Sequence, residues 1–134
     1  MPTKSIVNFT TDRQAAAETY VLNSIGHDKL REPSAKQALN DAFSGRGKAS
    51  ATMTVDGRAG VRVKHASSGS KDKNNSVTVF FHTDEDANGL VTKVYLLAVG
   101  GHKTDSTYAL DKKFGQDDFP FKADSTVNVD GSQA

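Results

Sequence analysis

Two cations alternate along one short segment of this chain, Ala59-Gly-Val-Arg-Val-Lys64. If the segment is a β-strand, Arg62 and Lys64 project from the same face, about 7 Å apart, and the valines beside them project from the other face. Side chains with this spacing can hold the phosphates of an RNA backbone, although the solvated face of an ordinary strand has the same pattern. Phosphate binding is therefore the first chemistry that the sequence suggests.

The charge of the chain is unevenly distributed, although the formal net charge is only +1. Residues 46–103 contain nine Lys and Arg against five Asp and Glu, whereas residues 104–134 contain three against six. Three of the four histidines, His65, His82 and His102, fall in the basic block. Histidine has an ordinary pKa of about 6.5 and exchanges protons near neutrality. Groups that attract phosphate and groups that exchange protons thus lie in the same part of the sequence.

Length and composition exclude several classes of protein. The 134 residues match one compact domain, and the absence of cysteine excludes disulfides, thiol catalysis and cysteine-ligated zinc. The sequence also lacks the histidine spacing of a metal site, a glycine-rich phosphate loop and a Gly-x-Ser-x-Gly elbow. No apolar run is long enough to span a membrane, and no secretory signal is evident. We therefore expect a cytoplasmic protein that does not bind membranes and needs no metal or cofactor.

The N-terminal third predicts one strand and two helices. Residues 5–9 are rich in β-branched side chains, which is typical of a strand. A first helix is expected from about Asp12 to Ser24, after threonines that can cap it. A second helix is expected over residues 34–43, because Pro33 precedes it and small apolar residues recur at the helical period.

From Ala49 onward the pattern changes to the alternation of β-strands. Asp56-Gly57 is a strong hairpin signal, and residues 77–82 and 90–99 are apolar enough to be the central strands. Residues 119–134 are predicted to be a C-terminal tail that is flexible, docks on a partner or adds an edge strand at residues 126–129. The expected class is α+β, with the N-terminal strand and two helices packed on one face of a four- to five-stranded, mainly antiparallel twisted sheet.

The order strand, helix, helix and then antiparallel strands resembles the layout of the RelE-like toxins, small ribonucleases of bacterial toxin-antitoxin pairs with the barnase/colicin/RelE-type fold. Ile6-Val-Asn-Phe9 looks like the opening strand of that family, and Val61-Arg-Val-Lys-His65 is similar to its strand of basic residues. Residues 94–103 with Tyr108 resemble its last strand, its Val-Gly turn and its C-terminal catalytic pair. The resemblance covers roughly residues 5–114, and we assign residues 1–118 to a single RelE-like domain.

The resemblance implies a catalytic set of four residues. His102 stands where the family has an arginine or histidine after the Val-Gly turn, and Tyr108 stands where many members have a tyrosine. Arg62 and Lys64 match the cations that grip the RNA backbone. Many members also have an arginine at the start of the strand that corresponds to residues 77–82, and here Lys73 or His82 is expected to replace it. The expected RNA-binding residues are Arg58, His65, Lys73, His82, Lys93 and Lys103.

Cleavage of RNA by its own 2′-hydroxyl needs a base for that proton, cations for the crowded phosphorane and an acid for the leaving 5′-oxygen. We expect His102 to exchange the proton and Tyr108 to stack on a base or orient it, while Arg62 and Lys64 offset the charge that develops. The resemblance implies an endoribonuclease of the mRNA interferase type. Its RNA substrate would be messenger RNA, free or on the ribosome, and a cognate antitoxin would neutralise it.

Two other functions fit the same residues. A non-enzymatic protein-binding module, such as a phage or host inhibitor protein, would use the sheet and the acidic tail as a protein-protein surface, and His102 would be idle. A catalytically inactive relative would only bind RNA through Lys and Arg, with an affinity that depends on salt. Turnover of RNA distinguishes the first function from both alternatives.

Overall fold

An antiparallel sheet and two helices make up the described part of the chain. The computed structural model describes residues 8–55, 58–69, 76–104, 107–113 and 126–128. Within these ranges the class is α+β, as predicted. In chain order the elements are β1 (Asn8–Thr10), a 3-10 turn (Thr11–Arg13), α1 (Gln14–Ser24), α2 (Glu32–Phe43), β2 (Lys48–Val55), β3 (Arg58–Ser68), β4 (Val77–Glu85), β5 (Val91–Thr104), β6 (Thr107–Lys113) and β7 (Thr126–Asn128).

The strands follow the order β2-β3-β4-β5-β6-β7, and β1 also pairs with β5. Each of these pairs is antiparallel. β5 is 14 residues long, and two strands share its edge opposite β4. β1 lies opposite Lys93–Tyr95, whereas β6 lies opposite the stretch from Ala98 to Thr104. The N-terminal strand is therefore a member of the sheet, and not an element packed on its face as we expected.

The described residues form a seven-stranded sheet, where we expected four to five strands. The main reason is the length of β5, which continues through Gly100 and Gly101 to Thr104 where a Val-Gly turn was expected. Its C-terminal half thereby presents an edge to β6. β7 then pairs with β6, so residues 126–128 of the predicted tail form an edge strand, one of the roles expected for them.

The two helices form close to where the sequence predicts them. α2 begins at Glu32, two residues earlier than expected, because Pro33 is well tolerated in the first turn, where its missing N–H has no helical partner to lose. α1 begins at Gln14, since the residues before it form the 3-10 turn. No helix within the described ranges has the length and apolar character needed to cross a membrane. The fully buried helix residues are Ala17, Val21, Ala35, Ala38, Leu39 and Ala42.

The main core lies between the helices and one face of the sheet. Alternate residues of the two central strands face it, since successive strand residues point to opposite faces. The intervening Phe80 of β4, like Val63 of the neighbouring β3, is also buried but does not belong to this cluster. β4 is thus buried on both faces, as expected for a central strand. The core residues of these strands are Val77, Val79 and Phe81 from β4 and Val94, Leu96 and Val99 from β5.

Candidate nucleic-acid interface

The backbone brings the predicted catalytic pair together. His102 of β5 and Tyr108 of β6 are Cα partners in the antiparallel register, and Thr104 and Thr107 pair next to them. Residues directly opposite each other in such a ladder have Cα atoms about 4.5–5.5 Å apart. The side chains of His102 and Tyr108 lie outside the described part of the structure. The pair is therefore established at the level of backbone register.

Arg62 and Lys64 lie at alternate positions of β3. Lys64 pairs with Phe81, which belongs to the main core, so Lys64 projects from the helix-bearing face of the sheet. Its Nζ donates a hydrogen bond to Thr83 Oγ1 at 3.3 Å. Arg62 is exposed, whereas Lys64 is half-buried. The two predicted phosphate-binding cations thus differ in how much of the side chain RNA can contact.

The four predicted catalytic residues fall into two separate groups. Across the sheet, Lys64 of β3 is paired with Phe81 of β4, and Phe81 is paired with Leu96 of β5. Leu96 precedes His102 by six residues. Six strand residues span about 20 Å. A single phosphate group cannot contact cations and a histidine that are this far apart, whereas an extended RNA strand can. The structure therefore brings His102 and Tyr108 together but does not bring Arg62 and Lys64 to them.

A cluster of ionisable and aromatic side chains lies on β4 and the N-terminal half of β5. We call His82, Asp84, Lys93 and Tyr95 the His82 cluster. The Tyr95 phenol donates a hydrogen bond to Asp84 Oδ2 at 2.7 Å, and its ring centroid lies 5.6 Å from that of His82. Lys93 is the Cα partner of Asp84, and its Nζ lies 5.8 Å from the centroid of the Tyr95 ring. One anion, one cation and two aromatic rings are thus in contact here.

The imidazole of His82 has an acceptor near each nitrogen. Its Nδ1 lies 3.2 Å from the carbonyl oxygen of Arg62, and its Nε2 lies 3.9 Å from Asp84 Oδ1. Because a carbonyl oxygen only accepts hydrogen bonds, the first contact requires a proton on Nδ1. A second proton on Nε2 would face the carboxylate. The Nε2 atom thus faces the Asp84 carboxylate, and the ring can stack on a base.

Sequence analysis identified two of the four members of this cluster and missed the other two. His82 and Lys93 were expected to bind RNA, and the structure places them on neighbouring strands of one hairpin. Asp84 and Tyr95 were missed. The signal was present, because residues 82 and 95, and likewise 84 and 93, are equally far from the centre of the β4-β5 hairpin. Counting residues outward from that turn along both strands predicts the pairs 82 with 95 and 84 with 93.

The other predicted RNA-binding residues are placed less completely. The side chain of His65 is only 6% exposed and lies against Phe80, with ring centroids 6.1 Å apart, so it offers RNA little surface. Arg58 lies in β3 and Lys103 in β5, but their side chains lie outside the described part of the structure, as does the whole of Lys73.

Sequence analysis also missed Arg31, which precedes α2. Its side chain is buried, and its guanidinium donates hydrogen bonds to two backbone carbonyls of the sheet. Nε donates to the carbonyl of Ser76 and Nη2 to that of Gly100, both at 3.1 Å. These partners are 45 and 69 residues away in sequence, so no local pattern indicates the contact.

The described side chains do not form a metal-binding cluster. Among the side chains that the structure describes, no three His, Cys, Asp or Glu gather closely enough to hold a metal ion. No protein-family model, no curated protein and no solved structure matches this chain.

Proposed function

We propose that this chain is an RNA-cleaving toxin, a metal-independent endoribonuclease of the mRNA interferase type that a cognate antitoxin neutralises. The observation that carries the proposal is the register in which His102 and Tyr108 are Cα partners on β5 and β6. The order strand, helix, helix and antiparallel strands supports it as well. In this proposal residues 1–118 form a RelE-like domain with both helices on one face of the sheet, and the protein acts in the cytoplasm.

The chemistry follows from the two groups of residues. At His102 the imidazole exchanges the proton of the 2′-hydroxyl or of the leaving 5′-oxygen, and Tyr108 stacks on or orients the adjoining base. The Arg62 carbonyl contacts the His82 ring, but the Arg62 side chain projects from the helix-bearing face, whereas the His82 cluster lies on the other face. Lys93 of that cluster is about 30 Å from His102 along β5, so it binds a phosphate upstream or downstream of the scissile bond. Lys103, which follows His102 directly, is the cation nearest to it in the sequence.

The first experiment is induced expression in bacteria of the wild-type chain, His102→Ala and His82→Ala. We expect wild type to arrest growth and to cleave cellular RNA, and His102→Ala to abolish both effects. His82→Ala is the matched control, because it removes a histidine from the other end of the sheet and should weaken cleavage without abolishing it. The purified wild-type protein should cleave an RNA oligonucleotide in the presence of a chelator and leave a 2′,3′-cyclic phosphate. Growth without arrest, together with intact RNA in the purified reaction, would overturn the proposal.

The second candidate is a non-enzymatic protein-binding module. It is favoured by the separation of Arg62 and Lys64 from His102, because a ribonuclease would benefit from cations at the scissile phosphate. A double variant His102→Ala, Tyr108→Ala with full biological effect would support this candidate. Binding of RNA without turnover would instead identify a catalytically inactive relative.

A further inference from the structure

We propose that Arg31 is a positioning residue for the segment that carries His102, and that it joins the start of α2 to the adjacent ends of β4 and β5. The structural part of the inference concerns the backbone from Gly100 to His102 and stands without any activity. Its catalytic consequence rests on the proposed function. Arg31 is not itself placed against RNA, because its side chain is buried.

The guanidinium holds two strands at once. Nε donates to the Ser76 carbonyl, directly before β4, and Nη2 donates to the Gly100 carbonyl in β5, each at 3.1 Å. The planar fork of an arginine side chain fixes the relative position of two such acceptors better than a flexible ammonium does. The carbonyl of Arg31 also accepts the N–H of Ala35 at 2.9 Å, which belongs to the first turn of α2. One residue therefore connects the helix layer with both strands.

A second observation concerns the same Ser76 carbonyl. A Cβ atom built on Gly101 would lie 2.5 Å from this oxygen, closer than real Cβ contacts occur. Position 101 therefore has room only for glycine unless the backbone moves. Ser76 itself is fully buried. The guanidinium and the close approach of Gly101 thus involve the same Ser76 carbonyl, so Gly100 is restricted by the guanidinium and Gly101 by Ser76.

The strand pairing holds this segment on the β6 side but stops on the β4 side. The last Cα partner that β4 provides on this side is Thr78, opposite Gly100. On the other side the β5-β6 register is irregular between Val99 and Gly100 and again between His102 and Thr104. Irregularities of this kind bend a strand and change the direction of its side chains. Between these irregularities Gly100–His102 pairs regularly with β6, whereas beyond the pair of Gly100 and Thr78 the described contacts on the β4 side come from Arg31 and Ser76.

Burying a guanidinium is costly unless its donors are satisfied, and well-packed apolar residues often stabilise a junction equally well. A charged clamp at this place is therefore better explained by accurate positioning than by stability alone. Positioning matters because a displacement of about 1 Å in a reacting group can reduce a rate about 100-fold. The Arg31 guanidinium contacts Gly100, which lies two residues before His102 in the same strand.

The test compares Arg31→Met and Arg31→Lys with the control Arg46→Met. The control removes an arginine whose side chain is 63% exposed and paired with Asp41 at the end of α2. Amide hydrogen exchange is measured on the full-length protein for Gly100–Lys103 and, as an internal reference, for Val94–Leu96. The kcat, KM and pH profile of RNA cleavage are measured on the same samples.

In Arg31→Met we expect the amides of Gly100–Lys103 to exchange at least about tenfold faster relative to Val94–Leu96, with kcat about 10- to 100-fold lower and a smaller change in KM. Arg31→Lys should give an intermediate result, because one ammonium can serve one carbonyl well, and Arg46→Met should behave as wild type. If Arg31→Met fails to fold, the lysine variant still tests the inference. Uniformly faster exchange across β5, or unchanged exchange at Gly100–Lys103, would overturn it. If the wild-type protein does not cleave RNA but Arg31→Met still exchanges faster at Gly100–Lys103 alone, the positioning role stands and only the proposed function is refuted.

Discussion

At the scale of single residues, the hydrogen bond from Tyr95 to Asp84 is the shortest described contact within the His82 cluster. The phenol donates to Asp84 Oδ2 at 2.7 Å, and Tyr95 is only 6% exposed. Replacing Tyr95 with phenylalanine keeps the ring packed against His82 but removes this donor. Because the carboxylate is a third exposed, water replaces part of the loss. We expect Tyr95→Phe to lower the free energy of unfolding by about 1 kcal/mol, measured by urea denaturation at neutral pH.

The control for this prediction is a double-mutant cycle with Asp84→Asn. If the two side chains interact directly, the effects of the single variants should not add, and the coupling energy should be about 0.5–1.5 kcal/mol. Additive effects would mean that Tyr95 and Asp84 contribute independently. In that case the cluster would not act as one unit.

The chemistry of single residues was partly readable from sequence. His82 and Lys93 stand out because histidine and lysine in a basic block indicate phosphate binding, whatever surrounds them. Asp84 was not readable in that way, since a carboxylate argues against an RNA site until its partner Tyr95 is known. Arg31 gave no local signal, because both of its carbonyl partners belong to strands formed far along the chain. Residue type therefore predicts candidates, whereas their partners depend on the fold.

At the scale of elements, α2 is the helix that packs most closely on the sheet. Its Leu39 is fully buried in the main core, whereas Leu30, two residues before the helix, is 68% exposed. Leu39→Ala should therefore lower the free energy of unfolding by about 3 kcal/mol through lost burial and a cavity. Leu30→Ala is the matched control and should change it by less than about 0.5 kcal/mol. Urea unfolding of both variants measures the difference, and similar values would mean that α2 does not dock as described.

The elements also show why some boundaries were predictable. α2 was predictable because small apolar residues at the helical period follow a proline, and both signals are local. The end of β5 was not, because Gly100 and Gly101 are typical of a turn, yet here glycine is required by the approach of Gly101 to the Ser76 carbonyl. Because these two glycines are typical of a turn, we expected a turn before His102. A strand that continues through two glycines is recognisable only once its neighbour is in place.

At the scale of the whole molecule, the sheet separates two chemical roles. β5 carries both Lys93 and His102, nine residues apart in sequence, and at 3.3 Å per residue these are about 30 Å from each other. The Lys93 end includes the His82 cluster, and the His102 end includes the proposed reacting pair. An RNA strand bound along the sheet would be gripped at one end and cleaved at the other. Affinity and turnover should then respond to different residues.

The last prediction tests this division with single-stranded RNA. Lys93→Gln should reduce the slope of log affinity against log salt by about 0.7, because it removes one phosphate contact, and kcat at saturating RNA should stay unchanged. His102→Ala should show the opposite pattern, with the affinity retained and kcat lost. Lys36→Gln on α2, whose side chain is paired with Glu32, is the control that should alter neither quantity. If Lys93→Gln lowered kcat as strongly as His102→Ala, the two ends of the sheet would form one site, and the extended placement of RNA along β5 would be wrong.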